Sequence, residues 1–304
     1  MNDPRPVIAG IELGGTKCVA LIAQDDVIID MLRIPTGMPE VTLRVLSDQV
    51  ARWAQRHPVA ALGIGSFGPL GLDSHAGDFG RITTTPKPYW SNVDVRGHFA
   101  EAFALPIGFD TDVAGAALAE ARWGASGGCR VHAYLTIGTG IGGGIVVDGR
   151  PVHGLVHPEF GHVRIRRVAG DTFAGVCPFH GDCLEGLASG PAITARAGAP
   201  AEALAPDHPV WRQVADELAE LMAMLILTIS PERILIGGGV GQNHATLLGM
   251  IRGTTARLLG GYVAGLTPAM LDGIIRNPAL GDRAGPLGAV ALGLQALEDR
   301  GRNV

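Results

Sequence analysis

Apolar positions in this chain fall into continuous short runs that predict buried strands and into spaced sets that predict helices. Val7 to Leu13 is one such run, Gly14-Gly15-Thr16 interrupts it, and Cys18 to Ala23 and Val27 to Asp30 follow as further strand segments. The first thirty residues therefore predict a meander of hairpins. Val41, Val45, Leu46, Val50 and Trp53 recur at the helical period and predict a helix over 41–56, followed by a strand over 60–65. Ser66-Phe67-Gly68-Pro69 breaks the pattern, and the stretch Thr83 to Trp90 holds too much Pro and Thr for a regular element. It either lines a pocket or crosses a surface. Pro106 to Phe109 is a short strand that runs into Asp110-Thr111-Asp112, and the alanine-rich Val113 to Trp123 has strong helix propensity.

The pattern then repeats. Val131 to Ile137 predicts a strand, Gly138 to Gly144 a glycine turn, and Ile145 to Val147 a returning strand with a second turn at Asp148-Gly149. Two copies of strand, Gly-Thr-rich turn and strand predict an α/β fold of two similarly built lobes facing each other across a cleft. A dinucleotide fingerprint would need a helix directly after the glycines, and a strand follows instead. Further on, Ser189-Gly190-Pro191 signals a helix start, Trp211 to Ile229 a long helix, and Arg233 to Ile236 a buried strand. That strand enters Gly237-Gly238-Gly239-Val240-Gly241, where bare backbone can meet a flat nucleoside, ahead of a helix over Ala245 to Leu259. The last helix, Gly285 to Leu297, carries Gly288, Ala289 and Ala291, small residues suited to close packing or to a dimer face.

Composition narrows the class. Of 304 residues 47% are apolar and only 17% charged, which describes an ordered globular chain, and 45 glycines point to tight turns and close backbone approaches. A net charge of −5 lacks the basic footprint of a nucleic-acid binder. The longest apolar run, Leu221 to Ile229, is far shorter than the roughly 18 residues of a membrane span. The N-terminus has no signal-peptide pattern, so a cytoplasmic protein without membrane partners is expected. Four cysteines in that compartment favour thiols and metal over disulfides.

The densest chemistry lies between His157 and Gly186. Cys177, His180 and Cys183 in Cys-x-x-His-x-x-Cys spacing, with His162 upstream, offer four ligands for a tetrahedral zinc ion, and Gly175 and Gly181 let the backbone fold around it. Two buried thiols or a small disulfide are the plainer alternative. With four protein ligands no open position remains, so the zinc is expected to be structural. Asp112, at a strand end and helix start, is either a helix cap or a catalytic carboxylate. The Gly14-Gly15-Thr16 turn, with Lys17 beside it, suits a phosphate, although a plain hairpin turn is the commoner use of that tripeptide.

Taken in order, IELGGTK, SFGP, TTPKP, DTDV, GTGIGGG, HPEFGH, CPFHGDCLEGLASGPA and ILIGGGV resemble the sugar kinases of the repressor/open-reading-frame/kinase (ROK) family, and within it the bacterial fructokinase-type members. The match spans about residues 7 to 292. The resemblance implies the two-lobed fold of the actin, hexokinase and Hsp70 ATPase group, with a central cleft and a small zinc-binding loop. It implies an N-terminal α/β lobe over 1–115, a C-terminal α/β lobe over 116–290 that includes the zinc loop 157–186, and a helix end, 291–304, packing back on the first lobe. ATP and Mg²⁺ are implied as cofactors. Nucleotide contacts are implied at Gly14, Gly15, Thr16, Lys17, Thr139, Gly140, Pro191, Ala192, Gly237, Gly238, Gly239, Val240 and Gly241.

By motif match Asp112 is similar to the family's catalytic base, Thr111 stands where many relatives carry Asn, and Glu159, His162 and Glu185 match sugar-contacting positions. Two departures, Glu12 in place of Asp and Cys177-x-x-His180 in place of Cys-x-Cys, are those of the fructokinase type. The implied activity is ATP-dependent phosphorylation of a hexose, D-fructose at its 6-hydroxyl ahead of mannose, glucose or an N-acetylhexosamine, by a homodimer. A non-catalytic sugar sensor would carry a DNA-binding segment ahead of the kinase-like region, and the first strand near residue 7 leaves no room for one. A zinc hydrolase using Glu159 would need an open metal position.

Overall fold

The computed structural model describes residues 5–244 and 246–302. The chain divides into two compact units: one comprises residues up to Gly127, Gly149–His157 and the segment from Leu280 onward, the other Gly128–Asp148 and Pro158–Ala279.

In the first unit β1 (Val7–Leu13), β2 (Lys17–Gln24) and β3 (Val27–Pro35) form an antiparallel meander. Helix α1 (Pro39–Ala54) crosses to β4 (Val59–Ser66), parallel to β1, and α2 (Val95–Ala102) precedes β5 (Ile107–Thr111), parallel to β4. The sheet order is β3-β2-β1-β4-β5. Helix α3 (Asp112–Trp123) follows, and the chain's last helix, α10 (Ala284–Arg302), returns to this unit. β1 is apolar apart from Glu12 near its end because both its faces are covered. One face packs Ala9, Ile11 and Leu13 against Leu43, Leu46, Val50 and Trp53; the other meets α10.

That second contact explains much of the glycine content. Gly10, Gly63 and Gly108 lie in register across β1, β4 and β5. A Cβ on Gly63 would stand 1.8 Å from the Ala289 carbonyl oxygen, and one on Gly108 2.1 Å from that of Leu292. The glycine row is thus a groove in which α10 lies directly on the sheet backbone. Gly288 meets Gly115 of α3 just as closely, with 2.5 Å from its would-be Cβ to the Gly115 carbonyl carbon. The small residues of the last helix, read as a possible dimer face, are consumed inside the unit: Ala289 is fully buried and Ala291 nearly so.

The second unit repeats the plan. β6 (Val131–Ile137) and β7 (Ile141–Val147) form an antiparallel hairpin, and the short β8 (Arg150–Pro151) that follows lies in the segment Gly149–His157 of the first unit. Helices α4 (Leu184–Ala188), α5 (Gly190–Ala197) and α6 (Val210–Ile229) precede β9 (Arg233–Gly237), which is parallel to β6. Then come α7 (Gly238–Asn243), α8 (Leu247–Leu259), α9 (Pro268–Ile274) and β10 (Ile275–Arg276), parallel to β9. Leu218, Met222 and Ile226 of α6 pack on Leu135, Ile137 and Ile145 with Ile251 of α8.

Several boundaries differ from the expectation. The division drawn after residue 115 falls inside α3, all of which lies in the first unit. β7 begins at Ile141, so only Gly138–Gly140 is turn; Gly143 sits mid-strand because a Cβ there would stand 1.9 Å from the Phe160 ring. Gly238 to Gly241 open a helix rather than a loop, and Ala245, the expected start of the next helix, lies outside the described residues. No helix among the described residues is long and apolar enough to cross a membrane.

Candidate active site and metal centre

Three parallel strands of the first unit end together, since Leu13 of β1 is in register with Ser66 of β4, and Ser66 with Thr111 of β5. Their ends therefore bring the Gly14–Thr16 turn, the Ser66–Pro69 break and Asp112 to one edge of the sheet, the end at which α/β folds collect ligands. The turn is closed by Gly14 N–H donating to Lys17 O (3.0 Å) and braced by the Thr36 hydroxyl donating to Gly14 O (2.7 Å). Gly15, Thr16 and Lys17 are exposed, and a Cβ on Gly15 would meet nothing within 4 Å. Lys87 of the Thr83–Trp90 loop reaches the same place, its Nζ donating to Gly15 O at 2.7 Å. Fully buried Trp90 anchors that loop by donating Nε1–H to Gly37 O at 3.0 Å. The sequence left the loop's role open; Lys87 shows where it goes.

Asp112 is the first residue of α3. Thr111 caps the helix, its hydroxyl accepting from Ala114 N–H at 3.1 Å, and Asp112 Oδ1 accepts from Val113 N–H at 2.9 Å. Capping thus falls to Thr111, which leaves the Asp112 carboxylate available for chemistry. Burial lifts Asp112 to about 6, against the lowering effect of the backbone N–H groups of Val113 and Asp112. Glu12 on β1 is lifted to about 7 by burial and then by the Asp112 charge, with Lys17 and Arg33 opposing, and its Oε2 is buried without a hydrogen-bond partner. One further pair was not foreseen: buried Asp110 accepts from His153 Nε2 at 2.9 Å, and this bond raises the imidazole's pKa. The two residues are far apart in sequence, and no local pattern announces them.

In the second unit the four expected metal ligands converge. The donor atoms of His162, Cys177, His180 and Cys183 all lie within 4.8 Å of one another, and the cysteines are free thiols. His162 Nδ1 is 3.5 Å from Cys183 Sγ and 3.7 Å from Cys177 Sγ, and His180 Nδ1 is 3.7 Å from Cys177 Sγ. The loop closes through Gly181 N–H donating to Cys177 O (2.9 Å), with Gly175 and Gly181 at φ of +80° and +63°. Burial pushes the Cys183 thiol up to about 11; a cation among these donors reverses that, because metal-bound thiols deprotonate. The set could hold a metal ion. His162 ends a short 3₁₀ turn, Phe160–His162, which Gly161 seats on β7: a Cβ there would stand 1.8 Å from Ile141 O. Since Nδ1 faces the sulfurs, Nε2 is the nitrogen left for another partner. Glu159, partly buried, immediately precedes this turn.

Glu185 sits beside the second glycine turn. It is the second residue of α4, and its Oε2 accepts from Ile141 N–H at 3.0 Å, directly against Gly140 in the second glycine turn. Thr139 at the tip of that turn is exposed. Gly190 N–H at the start of α5 donates to Gly138 O at 2.8 Å, which brings Pro191 and Ala192 to the turn's flank. Thr136 of β6 is in register with Gly237 of β9, so α7 begins beside the same turn. There Gly238 (φ +79°) and Gly239 offer accessible backbone, whereas Gly237, Val240, Gly241 and Ala192 are buried.

The two α/β units match in topology, each presenting a glycine hairpin turn beside the end of a parallel strand. The chain belongs to the ROK family, whose model matches residues 8–296. It is 45% identical to the fructokinase of Zymomonas mobilis subsp. mobilis, over 97% of this chain and 99% of the relative. Among solved structures it is similar to the ROK hexokinase of Thermus thermophilus, with a TM-score of 0.78 and 27% identity over 96% of this chain and 99% of that one. It is also similar to a ROK family glucokinase from Streptomyces griseus solved with glucose and AMPPNP, with a TM-score of 0.72 and 25% identity over 95% and 99%.

Proposed function

We propose that the protein is an ATP-dependent hexose kinase that phosphorylates D-fructose at its 6-hydroxyl. Near-complete alignment with fructokinases at 35–45% identity supports the substrate. The observation that carries the chemistry is Asp112: a helix-initial carboxylate, lifted to about 6, at the strand ends beside an open glycine turn. Such a group is ionised at neutral pH yet basic enough to take the proton of an attacking hydroxyl.

The Gly14, Gly15, Thr16 and Lys17 turn and the Thr139-Gly140 turn cradle phosphates through exposed N–H groups. Backbone at Pro191, Ala192 and Gly237 to Gly241 receives the nucleoside, the buried Ala192 and Val240 shaping it from behind. Thr111 and Asp112 of the first unit and Glu159, His162 and Glu185 of the second are the residues assigned to the sugar hydroxyls by their match to the family's motifs. Mg²⁺ spreads the charge of the transferring phosphoryl group, and the orphaned Glu12 Oε2 fits a role towards it. The metal of the Cys/His loop is structural zinc. Bonds of about 2.3 Å to sulfur and about 2.0 Å to nitrogen at a tetrahedral angle place S and N about 3.5 Å apart, which fits the spacing of His162 and Cys183. The enzyme works as a cytoplasmic homodimer, with no nucleic-acid partner. Phosphorus NMR of a reaction with MgATP and fructose tests the assignment: a 6-phosphate monoester appearing with ADP supports it, and unchanged ATP or free phosphate alone contradicts it.

A further inference from the structure

We infer that Glu185 is a positioning residue for the nucleotide, tying the metal loop to the glycine turn of the second unit. The inference rests on the reading of Gly138–Ile141 as a phosphate turn. The connection is continuous. Cys183, one of the four clustered donors, is the N-cap of α4, and Glu185 follows two residues later. Gly186 presses α4 onto the loop, since a Cβ there would meet Gly181 O at 1.9 Å and Cys177 Cβ at 3.0 Å. From that helix Glu185 Oε2 takes Ile141 N–H at 3.0 Å, close enough to Gly140 that a Cβ on that residue would stand 2.6 Å away.

On the far side, Gly190 N–H holds Gly138 O at 2.8 Å. The turn is therefore gripped at both ends by the segment that leaves the metal loop, while Thr139 at its tip stays exposed. A hydrogen bond from a backbone N–H to a carboxylate is among the stronger ones, and a turn lacking it must be ordered by the nucleotide at the nucleotide's expense. One carboxylate oxygen braces the turn and the other remains for a sugar hydroxyl, so metal loop, sugar and phosphate turn meet at one side chain.

The test is titration of MgAMPPNP without sugar into wild type, Glu185→Ala and Glu185→Gln, with metal content measured on each. Alanine is expected to weaken the nucleotide about tenfold or more, whereas glutamine, whose amide oxygen still accepts from Ile141 N–H, stays within about threefold. Each variant is expected to keep its metal. Should the alanine variant fail to fold, Glu185→Asp, shorter by one methylene, is expected to show the same weakening. A nucleotide affinity in the alanine or aspartate variant within about twofold of wild type, or tighter than it, overturns the inference and leaves Glu185 a sugar contact only. Weakening that accompanies metal loss alone also overturns it. Wild type that binds no nucleotide overturns the kinase reading itself.

Discussion

Asp112 at the start of α3 and Glu12 on β1 are electrostatically coupled: after burial, the charge of Asp112 is the largest cause raising Glu12 to about 7. Two carboxylates with raised proton affinity thus share the edge where the first glycine turn opens. A general base must be deprotonated, and Asp112 lies at about 6. The kcat/KM for sugar should therefore fall on an acidic limb with an apparent pKa near that value rather than near 4, read from a pH–rate profile. A profile flat down to pH 5 would remove Asp112 from the base role.

Asp112→Asn should reduce kcat by about 10²–10⁴ while sugar affinity, read by calorimetry, changes little. The same substitution should stabilise the fold. A carboxyl group whose pKa is raised on folding binds more protons in the native state, so its charge costs stability above the folded value of about 6, and the cost fades as pH falls towards the unfolded value of 3.8. Asparagine keeps the acceptor for Val113 N–H without the charge. The Asn variant should gain about 1–3 kcal/mol at pH 8 and little at pH 4, measured by denaturant unfolding.

The metal loop makes its own prediction. Purified protein should carry one zinc per chain by elemental analysis, and Cys183→Ser should lose it. Serine is a favourable N-cap for α4, so a lowered Tm in that variant reports the lost ion rather than a lost cap. Chelation should lower the wild-type Tm by several degrees and leave the variant unchanged.

Much of the framework was readable from local pattern. β1 and β6 are mostly apolar, with Glu12 in the first and His132 and Thr136 in the second as their polar members, and each is followed at once by glycines, so both hairpins were visible. The four metal donors were visible because Cys177, His180 and Cys183 are close in sequence. What escaped depends on partners distant in the chain. The Gly10-Gly63-Gly108 row counts only as composition until strand register aligns it under α10. Gly143 looks like turn until Phe160 is found against it. The Asp110–His153 pair and the seat of Glu185 on Ile141 N–H are tertiary contacts with no periodic trace. α4 and α9 are short, one or two turns that packing rather than propensity maintains.

Glycine substitutions separate packing from function. Gly63→Ala would force a methyl to 1.8 Å from the Ala289 carbonyl oxygen, backbone against backbone, and should destabilise the protein by about 3 kcal/mol or more. Gly15→Ala meets nothing within 4 Å, so it should leave stability within about 0.5 kcal/mol. It should instead raise the KM for MgATP, because the methyl stands where phosphate approaches the turn. Paired melting curves and ATP kinetics check both halves.

The most direct measurement is ADP release with MgATP across fructose, mannose, glucose, N-acetylglucosamine and N-acetylmannosamine, reported as relative kcat/KM for wild type and Asp112→Asn. Fructose should lead the wild-type series, and the variant should be slower by about 10²–10⁴ with every sugar. Preference for another hexose would contradict the substrate assignment, and no sugar-dependent ADP release from wild type would contradict the kinase account as a whole.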